Sequence, residues 1–418
     1  MNEIRQSASR TALAGLIGNV MEWFDFAVYG YFASVIGAQF FPQSSTGAQQ
    51  LLTFAVFAIG FGARPIGSLV LGAVGDRIGR RALLVLSIAL MGGSTLLIGL
   101  LPPYESIGVA APILLVTLRI LQGFSVGGEF TGSMVYTTEL APSASRGLVS
   151  SSAAAGVTLG FILGSGCATL IHNLLTPEQV ASFGWRIPFI CSVLILVLGV
   201  ALRRGLHETA QGLQAAAQRP ALISSLIADW RPMLQTFGIV AMTNAAYYLS
   251  FTFAVDRRSK GPDGGDFLLA NTLTLFAVLF AKPFGGWLSD IVGRRRLMML
   301  LTIAAMILVV PALNLMLTGS PWRFAIGQLL MALPLGMSLG LQGAMVVEIF
   351  PLRTRVTSMS FAYSVTLALA GGTAPLVSAW LVERLGQPSA PAFYIMGYGA
   401  LGLALLASMK ETNARSLD

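Results

Sequence analysis

Twelve runs of mostly apolar residues, each long enough to cross a bilayer as a helix, recur along the chain at 11–39, 49–74, 82–102, 107–139, 146–173, 185–203, 232–257, 266–290, 297–318, 321–349, 354–382 and 388–409. A hydrocarbon core about 30 Å thick takes about 20 helical residues to span. Inside lipid every backbone N–H and C=O must be satisfied by the chain itself, which leaves helices or closed barrels. The runs are too long for barrel strands and do not alternate. Several exceed 25 residues, so tilted or kinked helices are expected. The fold class this predicts is an all-α polytopic membrane protein with twelve transmembrane helices.

Composition agrees. Hydrophobic residues make up 55% of the 418 and charged residues 11%, against about 25% charged in soluble domains. A water-facing surface cannot be built from so little charge. The net charge of +8 would suggest nucleic acid in a soluble chain. Here the basic residues sit in short clusters between apolar runs, the pattern of membrane topology, and no aromatic-basic platform for a nucleic acid is present. With the N-terminus inside, 17 of the 26 Lys and Arg fall in cytoplasmic segments and six in outer ones. The other three, Arg64, Arg119 and Lys282, lie within apolar runs. The bias places both termini in the cytoplasm, which requires an even number of spans. No signal peptide is visible, since the first run contains Glu22 and Asp25.

The longest hydrophilic break, 204–231, divides the chain into 1–203 and 232–418, read as two six-helix bundles joined by a cytoplasmic linker. Within it Gln214 to Gln218 suits an amphipathic surface helix. An internal repeat supports the division. Gly75-Asp76-Arg77-Ile78-Gly79-Arg80-Arg81 after the second run is echoed by Ser289-Asp290-Ile291-Val292-Gly293-Arg294-Arg295 after the eighth. Glu139, Pro142 and Arg146 after the fourth are echoed, at identical spacing, by Glu348, Pro351 and Arg355 after the tenth.

Ionisable groups inside membrane helices are costly and mark function unless paired. Glu22, Asp25 and Tyr29 fall within about 60° of one another on the first helix. A carboxylate poised between burial and a nearby cation can take up and release a proton, so Asp25, then Glu22, are the proton-coupling candidates; the alternative is a static pairing with an arginine. Arg119, Gln122, Val126 and Glu129 form one stripe on the fourth helix. Arg119 keeps its charge and must be paired or hydrated. It can hold Asp25 or Glu129 in one state and exchange partners in another, or form a fixed ion pair. Arg64, Arg119 and Lys282 facing one cavity would suit a carboxylate-bearing solute, although Lys282 has the length to snorkel to the surface. Gln122, Tyr29, Tyr247, Tyr248, Asn244, Asn271 and Gln342 are polar groups in apolar runs, suited to solute contact or to helix–helix hydrogen bonds. Asp76, Arg77, Arg80 and Glu139, with Asp290, Arg294 and Glu348 in the second half, suit either a charge-assisted lock or topology anchoring. Gly156, Gly160 and Gly164 form a small-residue stripe for close helix packing at a sliding interface. The acidic and basic cluster between Phe251 and Phe267 reads as a solvated outer loop, or else a lid.

These motifs resemble the major facilitator superfamily, whose signature is similar to Asp-Arg-x-Gly-Arg-Arg between the second and third helices. Gly18 to Phe26, Ala63-Arg64-Pro65-Ile66-Gly67, Arg119 to Glu129 and Gly184 to Phe189 look like its metabolite:proton symporter family, densely over 11–205 and more loosely over 232–410. The resemblance implies two pseudo-symmetric bundles working by alternating access. It implies a gating role for the charged motifs and a link between the Arg119 position and proton transfer. It also implies substrates among citrate and other tricarboxylates, 2-oxoglutarate, shikimate, and proline or betaine. The proline/betaine members carry a long C-terminal coiled coil, whereas about eight residues follow the last helix here, so osmosensing of that kind is not expected. Exchanger-type members have a Gly-Pro pair in the fifth helix that this chain lacks, which favours symport.

The expectation is proton-coupled uptake of a small organic carboxylate such as citrate. The alternatives are a zwitterionic or other small metabolite such as proline, betaine or a shikimate-like acid, or an exporter. The chain is expected in a bacterial inner membrane as a monomer, driven by the proton gradient, with no cofactor, metal site, catalytic residue or nucleic-acid partner. No nucleotide loop or nucleophile–base pair is present. His172 and His207 read as solvated loop residues, and Cys167 and Cys191 as buried free thiols.

Overall fold

In the computed structural model the backbone is described for residues 18–78, 80–127, 129–204, 222–261 and 263–413, and the side chains of 72–84, 129, 195, 198, 199, 202–204, 222 and 223 are not among those described. The proposed surface helix at 214–218 and His207 lie outside these residues, as do the side chains of Asp76, Arg77, Arg80 and Glu129.

Among the described residues twelve long helical spans follow one another. They are α1 (18–31, resuming after Phe32 as Ala33–Phe40), α2 (Thr46–Ile78), α3 (Arg80–Leu100), α4 (Ala110–Leu140, interrupted after Ser125), α5 (Arg146–Leu174) and α6 (Arg186–Arg204). Then come α7 (Trp230–Arg258), α8 (Gly264–Val292), α9 (Arg294–Thr318), α10 (Pro321–Ile349), α11 (Arg355–Leu385) and α12 (Pro391–Ala407). Among the described residues eight are long and apolar enough to cross a membrane by length and composition alone, and α12 and part of α3 form shorter apolar helices. Their outward side chains are apolar. Leu194 is 71% exposed, Phe280 70% and Ile307 68%, a surface that only lipid satisfies.

The packing is pseudo-symmetric. Within the first six helices α2 packs on α4 and α3 on α6; within the last six, α8 packs on α10 and α9 on α12. The two bundles meet along α5–α8 and α2–α11, which exchange places under the repeat. At the α5–α8 crossing, a Cβ on Gly147 would stand 2.5 Å from the Gly286 carbonyl oxygen, and one on Gly286 equally close to that of Gly147. Only glycine permits that approach. The α5 stripe packs within its own bundle: a Cβ on Gly160 would meet the Val20 carbonyl of α1 at 2.6 Å. α7 and α11 each contain a wide π-type turn, at Leu249–Phe253 and Leu367–Gly372, a feature frequent at functional sites.

Three readings change. The segment from Asp256 is not a solvated loop, because α7 continues to Arg258 and Asp256 is fully buried. His172 belongs to α5 and stacks on Phe32, ring centroids 5.5 Å apart. Cys167 is half-buried, and Cys191 is exposed on the apolar outer surface of α6 rather than buried.

Candidate functional site

A cavity lies between the bundles, walled by Trp23 of α1, Phe130 and Met134 of α4, Ala154 and Val157 of α5, Asn244, Tyr247 and Tyr248 of α7, Lys282 of α8, Leu339, Gln342 and Gly343 of α10 and Tyr363 of α11. Lys282 is 1% exposed. Its Nζ donates to the Ala154 carbonyl at 2.6 Å, across the bundle interface. No carboxylate pairs with it among the described residues. It therefore does not snorkel to the surface. Around it Trp23 Nε1, Tyr247 Oη, Tyr248 Oη and Gln342 Nε2 are buried without a hydrogen-bond partner. Buried polar groups are normally satisfied, so a cavity wall with this many spare donors calls for an acceptor.

The other intramembrane charges gather in the first bundle, behind an aromatic wall. Arg64 of α2 forms an ion pair with Glu22 of α1. Its guanidinium carbon stands 5.1, 4.8 and 4.8 Å from the ring centres of Trp23, Phe26 and Phe61. Arg119, fully buried, lies 4.1 Å from the ring centre of Tyr29 and 4.8 Å from that of Phe26. Such contacts contribute roughly 0.5–2 kcal/mol each. Arg119 does not touch Asp25 directly. Its Nη1 donates to Gln122 Oε1 at 2.8 Å, Gln122 Nε2 donates to Thr95 Oγ1 at 2.6 Å, and the Thr95 hydroxyl bonds Asp25 Oδ2. Asp25 Oδ1 and Arg119 Nε and Nη2 have no hydrogen-bond partner among the described residues.

The expected trio of cations around one cavity is thus divided. Lys282, Tyr247, Tyr248 and Asn244 line it, as does Gln342, while Arg64, Arg119, Gln122 and Tyr29 do not. The physical reason is that Phe26, Phe57, Phe61 and Tyr248 pack between α1, α2 and α7, and the arginines are held on those ring faces. Asn271 lies away from the cavity, bonding Tyr31, Ser165 and Gln328. Charge counting also passed over Trp23, Phe130 and Tyr363, whose only sequence signal is an aromatic in an apolar run, and Thr95, whose signal is a hydroxyl in one.

Inter-bundle bonds close both ends around the cavity. At the arginine-rich end Arg146 Nη1 of the first bundle lies 3.3 Å from Glu348 of the second, whose other oxygen accepts from Arg294 Nε of its own bundle at 2.6 Å, and Arg355 Nη1 of the second bundle lies 2.7 Å from Glu139 of the first. Asp290, 3.1 Å from Arg294, also accepts from the backbone N–H groups of Gly147 and Leu148. It caps α5 from the opposite bundle, where a helix N-terminus favours an anion. At the other end Asp256 of α7 accepts from Ser34 N at 2.9 Å, Ser34 Oγ at 2.7 Å and Gln50 Nε2 at 2.6 Å, all in the first bundle.

Comparison with known proteins agrees with this architecture. The profile described as "Sugar (and other) transporter" matches residues 11–218, and that described as "Major Facilitator Superfamily" matches 236–416. The proline/betaine transporter of Escherichia coli K12 is 35% identical, covering 97% of this chain and 84% of its own. The citrate-proton symporter of Klebsiella pneumoniae is 34% identical, covering 96% and 91%. This chain belongs to the major facilitator superfamily, within its metabolite:proton symporters. A crystal structure of a D-xylose-proton symporter superposes with a TM-score of 0.75 at 19% identity, over 98% of this chain and all of that one, which concerns the fold alone. The superfamily member is a transporter and not an enzyme. Its two bundles enclose a cavity, with a carboxylate-rich lock at one end and the buried carboxylate of Asp256 at the other.

Proposed function

We propose that the protein is a proton-coupled symporter taking up a small organic carboxylate by alternating access, with Lys282 as the solute's charge partner and Asp25 as the proton carrier. The observation that carries this is the unsatisfied donor set around a lone buried cation. A carboxylate supplies the acceptors that Lys282, Tyr247, Tyr248, Gln342 and Trp23 lack, and charge-assisted bonds to it would be the strongest available there. Asp25, with Glu22 three residues before it on α1 and Glu129 of α4 as further candidates, carries the proton step: it is a buried carboxyl linked by hydrogen bonds to an arginine that cannot discharge. The charged motifs of the two halves act as gates, with Glu348 accepting from Arg294 and Arg146 and Glu139 from Arg355. The arginine bias puts that end and both termini in the cytoplasm of a bacterial inner membrane. Both bundles that wall the cavity come from a single chain, which suits a monomer driven by the proton gradient without a bound cofactor.

Citrate is one solute of this class. A second reading is a zwitterion such as proline or betaine, favoured by the rings of Trp23, Tyr247, Tyr248, Phe130 and Tyr363 around the cavity, which suit an ammonium group, and by the names of several relatives. Proteoliposomes with an imposed inward proton gradient test both. Labelled citrate, 2-oxoglutarate, proline and glycine betaine are offered in turn, and one or more accumulates and is released by an uncoupler. Accumulation of none, or accumulation indifferent to the uncoupler, contradicts the reading.

A further inference from the structure

The Thr95 hydroxyl, fully buried on α3, stands among three partners: Asp25 Oδ2, the Met91 carbonyl at 2.9 Å and Gln122 Nε2 at 2.6 Å. A hydroxyl has one proton to give and two lone pairs to receive. Gln122 Nε2 is a donor and occupies one lone pair. While Asp25 is ionised the other two partners are both acceptors, and the single proton serves only one of them. When Asp25 carries a proton the count changes. Its O–H donates to Thr95 Oγ1, Thr95 turns its own proton to the Met91 carbonyl, and all three bonds are made at once.

We propose that Thr95 is the positioning residue of the proton site. It holds Asp25 in register with the Gln122–Arg119 pair and reverses its hydrogen bonds when Asp25 takes up a proton. This rests on the reading of Asp25 as the proton carrier. The charged and titratable groups around this point are Glu22 and Tyr29 on α1, Arg64 on α2, Arg119 on α4 and Tyr248 on α7; α5 faces α1 here with Gly160 and Gly164. Among the described residues, Thr95 and Gln122 form the hydrogen-bonded link between Asp25 and Arg119. A change of proton on the carboxylate therefore reaches the guanidinium through them.

Infrared difference spectra of the protein in liposomes, taken between acidic and alkaline buffer, test this through the C=O stretch of protonated carboxyl groups. The band removed by D25N belongs to Asp25. A carboxyl whose O–H is held by a hydroxyl absorbs at lower frequency than one with no acceptor. T95V therefore moves the band to higher frequency, and T95S, which keeps the hydroxyl, leaves it in place; T95A gives the same comparison should T95V not fold. If D25N removes no band, Asp25 does not take up a proton and the underlying reading fails along with the proposal. If D25N removes the band but T95V and T95A leave its frequency unchanged, the proton carrier stands and the role of Thr95 is overturned.

Discussion

Arg355 reaches from the second bundle to Glu139 of the first at 2.7 Å, and Arg146 of the first reaches Glu348 of the second at 3.3 Å. Each repeat thus lends its arginine to the other's glutamate. The exchange explains why both copies keep the same seven-residue spacing: a fixed step from the end of one helix to the start of the next delivers an arginine to the partner bundle. It also makes this end a joint that opens only when the bundles part.

Glu348 is the centre of that joint, buried and shared by Arg146 and Arg294. Removing one member of a buried ion network costs about 3–5 kcal/mol, and the cost falls on the closed arrangement. E348Q is expected to raise alkylation of a Ser150→Cys probe, which lies beneath the network at 1% exposure, by at least about tenfold. Cys167 and Cys191 are first replaced by alanine. An unchanged labelling rate would mean that the network does not hold this end shut.

Asp256 is the counterpart at the opposite end. D256N offers one carbonyl oxygen where three donors from Ser34 and Gln50 converge, so it is expected to loosen that end. Labelling of a Thr252→Cys probe, buried in the same α7 segment, should rise while the Ser150→Cys probe stays protected. Equal effects on both probes would indicate general unfolding instead.

The helices were legible because lipid permits so few backbones. The run 321–349 and the helix Pro321–Ile349 coincide, and the other spans agree to within a few residues at every end that falls among the described residues. The repeat marked Glu139, Arg146, Glu348 and Arg355, but not their exchange between the bundles: spacing along the chain puts Glu139 near the arginines of its own half, whereas Arg355 comes to it from the other. The division of the charges was not. One-dimensional spacing puts Arg64, Arg119 and Lys282 inside the membrane, but which of them meets the cavity depends on where Phe26, Phe57 and Phe61 pack. Thr95 was invisible for a related reason: a hydroxyl costs little in a helix, where it bonds the carbonyl four residues back, so its presence carries no alarm. Asp256 read as loop because five charged residues lie close together, whereas burial is decided by Ser34 and Gln50, far away in sequence.

Lys282 donates one hydrogen bond, to Ala154, and has no carboxylate partner among the described residues. Replacing an uncompensated buried charge with an apolar group of similar length is often neutral or stabilising. K282M is therefore expected to keep or raise the melting temperature while losing the thermal shift that an accumulated solute gives the wild type. A retained solute shift would remove Lys282 from the binding site.

Glu411, beyond the last helix, caps the start of α9. Burial opposes its ionisation, but the backbone N–H groups of Arg295, Asn413, Arg294 and Thr412 outweigh this and hold it below the ordinary value of 4.5. A depressed carboxyl contributes stability above its unfolded value and loses it as pH falls through the folded one. The small margin in melting temperature of the wild type over E411Q should therefore be full above about pH 4.5 and shrink below it. A margin independent of pH would contradict the cap.

The proposed proton site in the first bundle is separate from the solute site on Lys282, and D25N tells the two apart most directly. In proteoliposomes, using whichever labelled solute the wild type accumulates, D25N should lose accumulation against a gradient while still exchanging labelled for unlabelled solute across the membrane. Accumulation at the wild-type level in D25N would contradict it.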